Sequence, residues 1–280
     1  SHPISSVLSL LAVLLIPLMF GLISAGSAAA APKHYTELTF PPLPEVQVPS
    51  YSRFVLSNGL TVYLMEDHEL PLVSGRAMIR TGNRLEPADK VGLADITAEV
   101  MRTGGTVKHP ADTLNQMLEQ QAAAVEVGMD DAVATANFNA LSEDLDTVFG
   151  LFAEVLREPA FPIEKLELSK QQHKGSIERR NDDPDNISTR EFQKLIYGAT
   201  SPYARTEEYQ TLNKITRDDL QSFYQTYFHP NRTILGIVGD FNPVKMRQSI
   251  EARFGSWAKN PNTRLDPVPS GTQIKKGGVY

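Results

Sequence analysis

Cysteine is absent from all 280 residues, which excludes disulfides, thiolate zinc sites, iron–sulfur clusters and a cysteine nucleophile. An excess of positive charge is also missing. The 27 basic residues are outnumbered by 33 acidic ones, for a formal net charge of −6, so there is no electrostatic footprint for a phosphate backbone and no nucleic-acid partner is expected. No serine sits in a G-x-S-x-G elbow, which argues against that class of serine hydrolase. Gly236-Ile237-Val238-Gly239 lacks the spacing of a phosphate loop and Gly128 stands alone, so nucleotide binding has no support. No short internal repeat marks a solenoid or propeller. Histidine is scarce, with six in all. What stays open is chemistry by serine, histidine or carboxylates, or a metal held by histidine and carboxylate.

Hydrophobic residues make up 41% of the chain and charged residues 21%, a balance that suits a globular fold able to bury a core. Val7 to Ile23 is an apolar run broken by Pro17, followed by Ala25-Gly26-Ser27-Ala28-Ala29-Ala30-Ala31, which offers A-x-A-like cleavage sites. Residues 1–31 therefore read as a secretory signal peptide. Because the chain starts Ser1-His2 with neither Met nor a basic segment, a start further upstream is expected. A single membrane anchor is the alternative, although the run is shorter than the roughly 20 residues a spanning helix needs. Either way the mature protein is expected to be exported, periplasmic or otherwise outside the cytoplasm, touching a membrane only through such an anchor. A cysteine-free chain suits that setting. Residues 32–50 carry Pro32, Pro41, Pro42, Pro44 and Pro49 and read as an extended tether.

The body alternates strand and helix patterns. Arg53-Phe-Val-Leu-Ser-Asn-Gly-Leu-Thr-Val-Tyr-Leu-Met65 places two apolar alternations around Asn58-Gly59, a strong hairpin signal. Val73 to Arg80 is a third strand. Gly92 to Met101 spaces Leu93, Ile96, Thr97 and Val100 as a helix that Gly104-Gly105 stops. Asp112 is expected to cap a helix through Gln121, and Ser142 a longer one through Leu156, with paired strands at 122–127 and 132–140 between them. Helices are expected at 163–180, 187–197, 216–227 and 243–254, with a buried strand at 233–238. Asp182-Asp183-Pro184 reads as a helix-ending turn rather than a carboxylate dyad. The expectation is an α+β domain over about residues 51–260 whose helices cover one face of a mainly antiparallel sheet. Beyond it, 261–280 read as a linker and the start of a missing second half.

Several stretches in order resemble the insulinase-like (pitrilysin) zinc metallopeptidases, in the branch of the mitochondrial processing peptidases. They are Phe54-Val-Leu-Ser-Asn-Gly-Leu-Thr-Val62, Gly92-Leu-Ala-Asp-Ile-Thr-Ala-Glu-Val-Met101, Asp182-Asp-Pro184, Ser201-Pro-Tyr-Ala-Arg205, Ile215-Thr-Arg-Asp-Asp-Leu220 and Tyr227-Phe-His-Pro-Asn-Arg-Thr-Ile-Leu-Gly-Ile-Val-Gly-Asp240. The resemblance covers about residues 51–260. It implies a half-subunit: two homologous halves joined by a linker, and two such subunits closing over an extended peptide.

Active members of that family carry H-x-x-E-H on the helix after Gly-Leu-Ala, with a further glutamate one helix later. Histidines at i and i+4 project from one face to hold zinc, and the glutamate beside them takes the proton of the metal-bound water. Aligned on Gly92-Leu93-Ala94, the resemblance puts Asp95 at the first histidine, Ala98 at the base and Glu99 at the second histidine; counting back from Asp182-Asp183-Pro184 puts Ser176 at the third ligand. All four positions are degenerate, and Ala98 cannot act as a general base. Asp95, Glu99 and His173, one turn before Ser176, are the residues that could converge as a substitute metal site; a solvated carboxylate face and an ordinary polar histidine are the simpler account. His2 and His34 fall in the signal and tether, His68 and His109 in loops, and His229 before Pro230, all expected to be structural or exposed.

The resemblance thus implies a non-catalytic subunit with no cofactor of its own, pairing with an active homologous peptidase subunit that carries the zinc, around an extended peptide substrate. A structural protein like the respiratory-complex core subunits is the alternative, and an autonomous metallopeptidase with a reworked site a remote one.

Overall fold

The computed structural model describes residues 49–262 continuously and a few positions between 34 and 45. The chain divides into two units, 1–48 and 49–280, and the fold is that of the second. The expected signal segment, most of the tether and residues 263–280 of the expected linker lie outside the described residues.

Six strands form one sheet: β1 (Ser52–Val55), β2 (Thr61–Glu66), β3 (Leu72–Ile79), β4 (Ala124–Met129), β5 (Ala134–Leu141) and β6 (Thr233–Gly239), in the order β1-β2-β6-β3-β5-β4. Four of the five pairings are antiparallel; β6 returns beside β2 in parallel. The expected mainly antiparallel α+β domain is thus present. Period-two alternation sets the faces. Val73, Ala77 and Ile79 of β3, Ala136 and Phe138 of β5, and Leu235 and Ile237 of β6 are buried, while Leu72, Met78 and Ile234 on the intervening positions stay exposed.

Eight α-helices are described: α1 (Leu93–Thr103), α2 (Ala111–Gln120), α3 (Leu145–Arg157), α4 (Ile163–Arg179), α5 (Pro184–Tyr197), α6 (Tyr209–Lys214), α7 (Arg217–Tyr227) and α8 (Pro243–Phe254). The hydrophobic stripe of α3 (Val148, Phe149, Phe152, Val155 and Leu156) is buried. Its Phe149 and Phe152 meet Phe138 of β5 and Phe254 of α8 at centroid distances of 5.0 to 6.4 Å. Each ring's burial contributes on the order of 2–3 kcal/mol, which makes this cluster the anchor between sheet and helices. Among the described residues no helix is long and apolar enough to cross a membrane.

Three local expectations are corrected. Neither Asp112 nor Ser142 caps a helix: α2 starts after Pro110, and Ser142 lies in a 3₁₀ turn that leads into α3, with no side-chain cap in either case. The chain at Asp182-Asp183-Pro184 starts a helix as well as ending one, because the Asp183 carboxylate accepts the Asp185 N–H at 2.9 Å and Pro184 takes the first helical position. The Asn58-Gly59 hairpin exists, but β1 and β2 pair from Val55 and Thr61 outward, so the loop is longer than the dipeptide alone would make it.

Candidate functional site

Helix α1 starts where Gly92 adopts φ 101°, a left-handed conformation open to glycine. The buried carboxylate of Glu86 reaches its first turn and accepts the N–H groups of Gly92 (3.2 Å) and Ala94 (3.0 Å). An anionic acceptor at that end meets both the orphan donors and the helix dipole. Burial pushes this carboxyl up to about 7, against the two backbone hydrogen bonds that favour its charged form. Further along α1, Leu93, Ile96, Val100 and Met101 face the core. Helical spacing then leaves Asp95 and Glu99, four residues apart, half-buried on another side.

Helix α4 brings Ser169 and His173, also four apart, alongside Glu99. The Ser169 hydroxyl donates to Glu99 Oε2 at 2.5 Å, and His173 Nε2 lies 3.1 Å from Glu99 Oε1. The other ring nitrogen, Nδ1, lies 2.9 and 2.8 Å from the two carboxylate oxygens of Glu207, in the segment before α6. Asp95 completes the group, its Oδ2 accepting from the Asn83 amide at 3.1 Å.

The electrostatics follow from this geometry. Hydrogen bonds to Glu207 and then Glu99, against the cost of burial, raise His173 to about 10. Burial, with the charges of Glu207 and Glu99, pushes Asp95 up to about 6 while the His173 charge opposes the rise. For Glu99 burial works upward, but the hydrogen bonds from His173 and Ser169 together outweigh it and leave the carboxyl below its ordinary range.

Of the sequence candidates, Asp95, Glu99 and His173 come together. Ala98 is buried among core residues, and Ser176 is exposed, its hydroxyl turned back to the Gln172 carbonyl at 3.3 Å. Glu207, Ser169, Asn83 and Glu86 were not legible in the motif; Glu207 in particular sits in an aperiodic stretch that no spacing rule marks. The other histidines within residues 49–262 serve as structural partners: His68 to Asp240 (2.6 Å), His109 to Glu154 (2.7 Å), and His229 to the carbonyls of Gln225 and Ala258.

Zinc needs unprotonated lone pairs on imidazole or several well-placed anionic donors. His173 offers no lone pair, because both its nitrogens point at acceptor-only carboxylates. Among the described residues no group of three or more His, Asp or Glu is arranged to hold a metal ion. The donor set does not fit the metal.

Beside the cluster, between α1, α4 and the edge strand β4, runs a polar groove of about 410 Å³ lined by Glu99, Arg102, Glu126, Lys165, Leu168 and Ser169. Arg102 donates to the Val125 carbonyl of β4 and to the Asn115 side chain at 2.8 Å. A larger cavity of about 720 Å³ lies where β2 and β6 end and shares no lining residue with the cluster.

Residues 61–204 match the family described as Insulinase (Peptidase family M16), and residues 214–280 match the Peptidase M16 inactive domain. Similar proteins include the non-peptidase homolog YmxG of Helicobacter pylori, 27% identical over 210 residues, which span 74% of this chain and 45% of that protein. The mitochondrial-processing peptidase subunit alpha of Pongo abelii is 25% identical over 165 residues, 58% of this chain and 31% of that protein. The chain spans about half the length of the curated relatives it matches. The fold is shared with the peptidase M16 inactive domain from Pseudomonas fluorescens (TM-score 0.73, 23% identity, 79% of this chain and 54% of that one). It is shared too with the first half of the periplasmic protease PqqL from Escherichia coli (TM-score 0.67, 18% identity, 80% and 50%).

Proposed function

This chain belongs to the M16 insulinase family of peptidases, and from that premise we propose that it is a non-catalytic, peptidase-like subunit that pairs with an active, zinc-bearing homologue to form a chamber for an extended peptide. The observation that carries this is the cluster itself. Where catalytic relatives would hold zinc and its base, we assign Asp95, Ala98, Glu99 and Ser176, and the first and third of these are already engaged in hydrogen bonds. Ala98 has no group to take a proton from water, so the step that defines the peptidase reaction has no agent here. A relative described as a non-peptidase homologue and another that is one subunit of a processing peptidase support the reading.

In the proposed pair this chain supplies wall and peptide contacts, and the zinc belongs to the partner. β4 lies at the sheet edge next to the polar groove, where an extended segment can add by backbone hydrogen bonds, a mode tolerant of sequence. The reading also places the protein outside the cytoplasm, supported by the apolar run at Val7 to Ile23 and by the periplasmic protease among its structural neighbours. The test is affinity co-purification of the full-length protein with a homologue that retains H-x-x-E-H: a stable one-to-one complex is expected, and two proteins that elute apart in every condition overturn the pairing.

A further inference from the structure

His173 stands at the centre of the cluster with carboxylates on both sides. Nδ1 faces both oxygens of Glu207 at 2.9 and 2.8 Å, and Nε2 faces Glu99 at 3.1 Å. A carboxylate only accepts, so each ring nitrogen must donate, and a ring that donates twice is an imidazolium. Its side chain is 14% exposed, against 23% for Glu207 and 44% for Glu99, which makes the cation more enclosed than either glutamate that flanks it. Asp95, Glu99 and Glu207 come from two elements and the cation from a third. Three carboxylates gathered this closely would repel one another without positive charge among them.

A zinc ion at such a place does two things: it supplies chemistry, and it ties the elements that carry its ligands by concentrated positive charge. The imidazolium can do only the second. We propose that His173 is a built-in substitute for the metal, an organic cation that pins α1, α4 and the segment ahead of α6 together and makes this domain's architecture independent of metal. The inference rests on the assignment of Asp95 and Glu99 to the former ligand positions.

The test is thermal unfolding of the full chain, wild type against His173→Ala, His173→Gln and Glu207→Gln, each with EDTA, with millimolar manganese and with millimolar zinc. Wild type should unfold at the same temperature in all three. His173→Ala should unfold about 5–10 °C lower in all three conditions, as expected when a partly buried ion-pair partner is deleted. His173→Gln, which keeps one donor, should fall between. If His173→Ala yields no folded protein, Glu207→Gln takes its place, with a smaller loss expected, and nitrogen-15 NMR of wild type reads the ring directly: both nitrogens protonated at neutral pH support the node. Three results overturn the inference: a His173→Ala midpoint equal to wild type, a wild-type midpoint that falls in EDTA or rises with zinc, or a neutral His173 tautomer. Pairing with a homologue plays no part in these readouts, so failure to pair defeats the proposed function without touching this result.

Discussion

Stability of the folded domain should decline as pH rises from 5 to 8, and Glu86 is the largest single cause. The residue is 7% exposed, and its carboxyl lies against the start of α1. Burial moves it from 4.5 to about 7, so between those values the folded protein keeps a proton that the unfolded chain has released, and stability falls across that interval. At about 1.4 kcal/mol per tenfold change in proton affinity, ionising Glu86 in place costs about 3 kcal/mol. Asp95, raised from 3.8 to about 6, adds to the same slope at its acid end. His173, raised from 6.5 to about 10, extends it: its contribution is complete below pH 6.5 and disappears as pH approaches 10. Glu99 and Asp219 are held below their ordinary range, so they oppose unfolding above that range and lose this effect in acid, which places the optimum near pH 5. Urea denaturation reads the outcome. The three groups together remove about 6 kcal/mol between pH 5 and pH 8, so with a slope of about 2–3 kcal/mol per molar the midpoint should fall by about 2 M over that range. Glu86→Gln keeps a carbonyl to accept the Gly92 and Ala94 N–H groups but cannot ionise, and it should remove a little under half of that fall, leaving the part due to Asp95 and His173. A wild-type profile that is level or rises over this range, or a variant with the wild-type slope, refutes the reasoning.

Two further substitutions probe the frame that holds the site. Gly239→Ala at the end of β6 places a Cβ at φ +135° and 2.1 Å from the Leu72 carbonyl oxygen, with backbone that cannot step aside; a loss of about 2–4 kcal/mol is expected in the same urea assay, and a variant within experimental error of wild type contradicts it. Asn58→Ala removes a buried amide that donates to the carbonyls of Phe254 (2.7 Å) and Trp257 (3.0 Å), and it should cost about 1–3 kcal/mol and loosen the end of α8, read as faster amide exchange at those residues. Unchanged exchange there would mean that the hairpin loop does not fasten the helix.

Much of the fold could be read from the sequence because its signals are local. Strand alternation in β3 and β5, the Thr216 capping box of α7 and the Asn242-Pro243 start of α8 each specify structure over a few residues. The parallel β2–β6 pairing was not legible, since some 170 residues intervene and only the closed sheet decides it. Asn58 shows the same limit at one residue: its type suggests a tight turn, yet its side chain is spent on α8, far along the chain. At the site, helical spacing correctly put Asp95 and Glu99 on one side of α1, and motif position pointed to the helix of His173. Glu207 completes the cluster from an irregular segment, so no periodicity could reveal it, and without it the double donation of His173 could not be foreseen.

The central claim, a peptidase fold that serves catalysis only through a partner, is met most directly by peptide cleavage. Full-length protein, an H-x-x-E-H homologue and the two together are each incubated with an extended peptide and zinc. The pair should cleave faster than the homologue alone, this protein alone should not cleave, and Glu99→Ala or His173→Gln in this chain should leave the chemical step of the pair intact. Zinc-dependent cleavage by this protein alone, abolished by those same substitutions, would contradict the account.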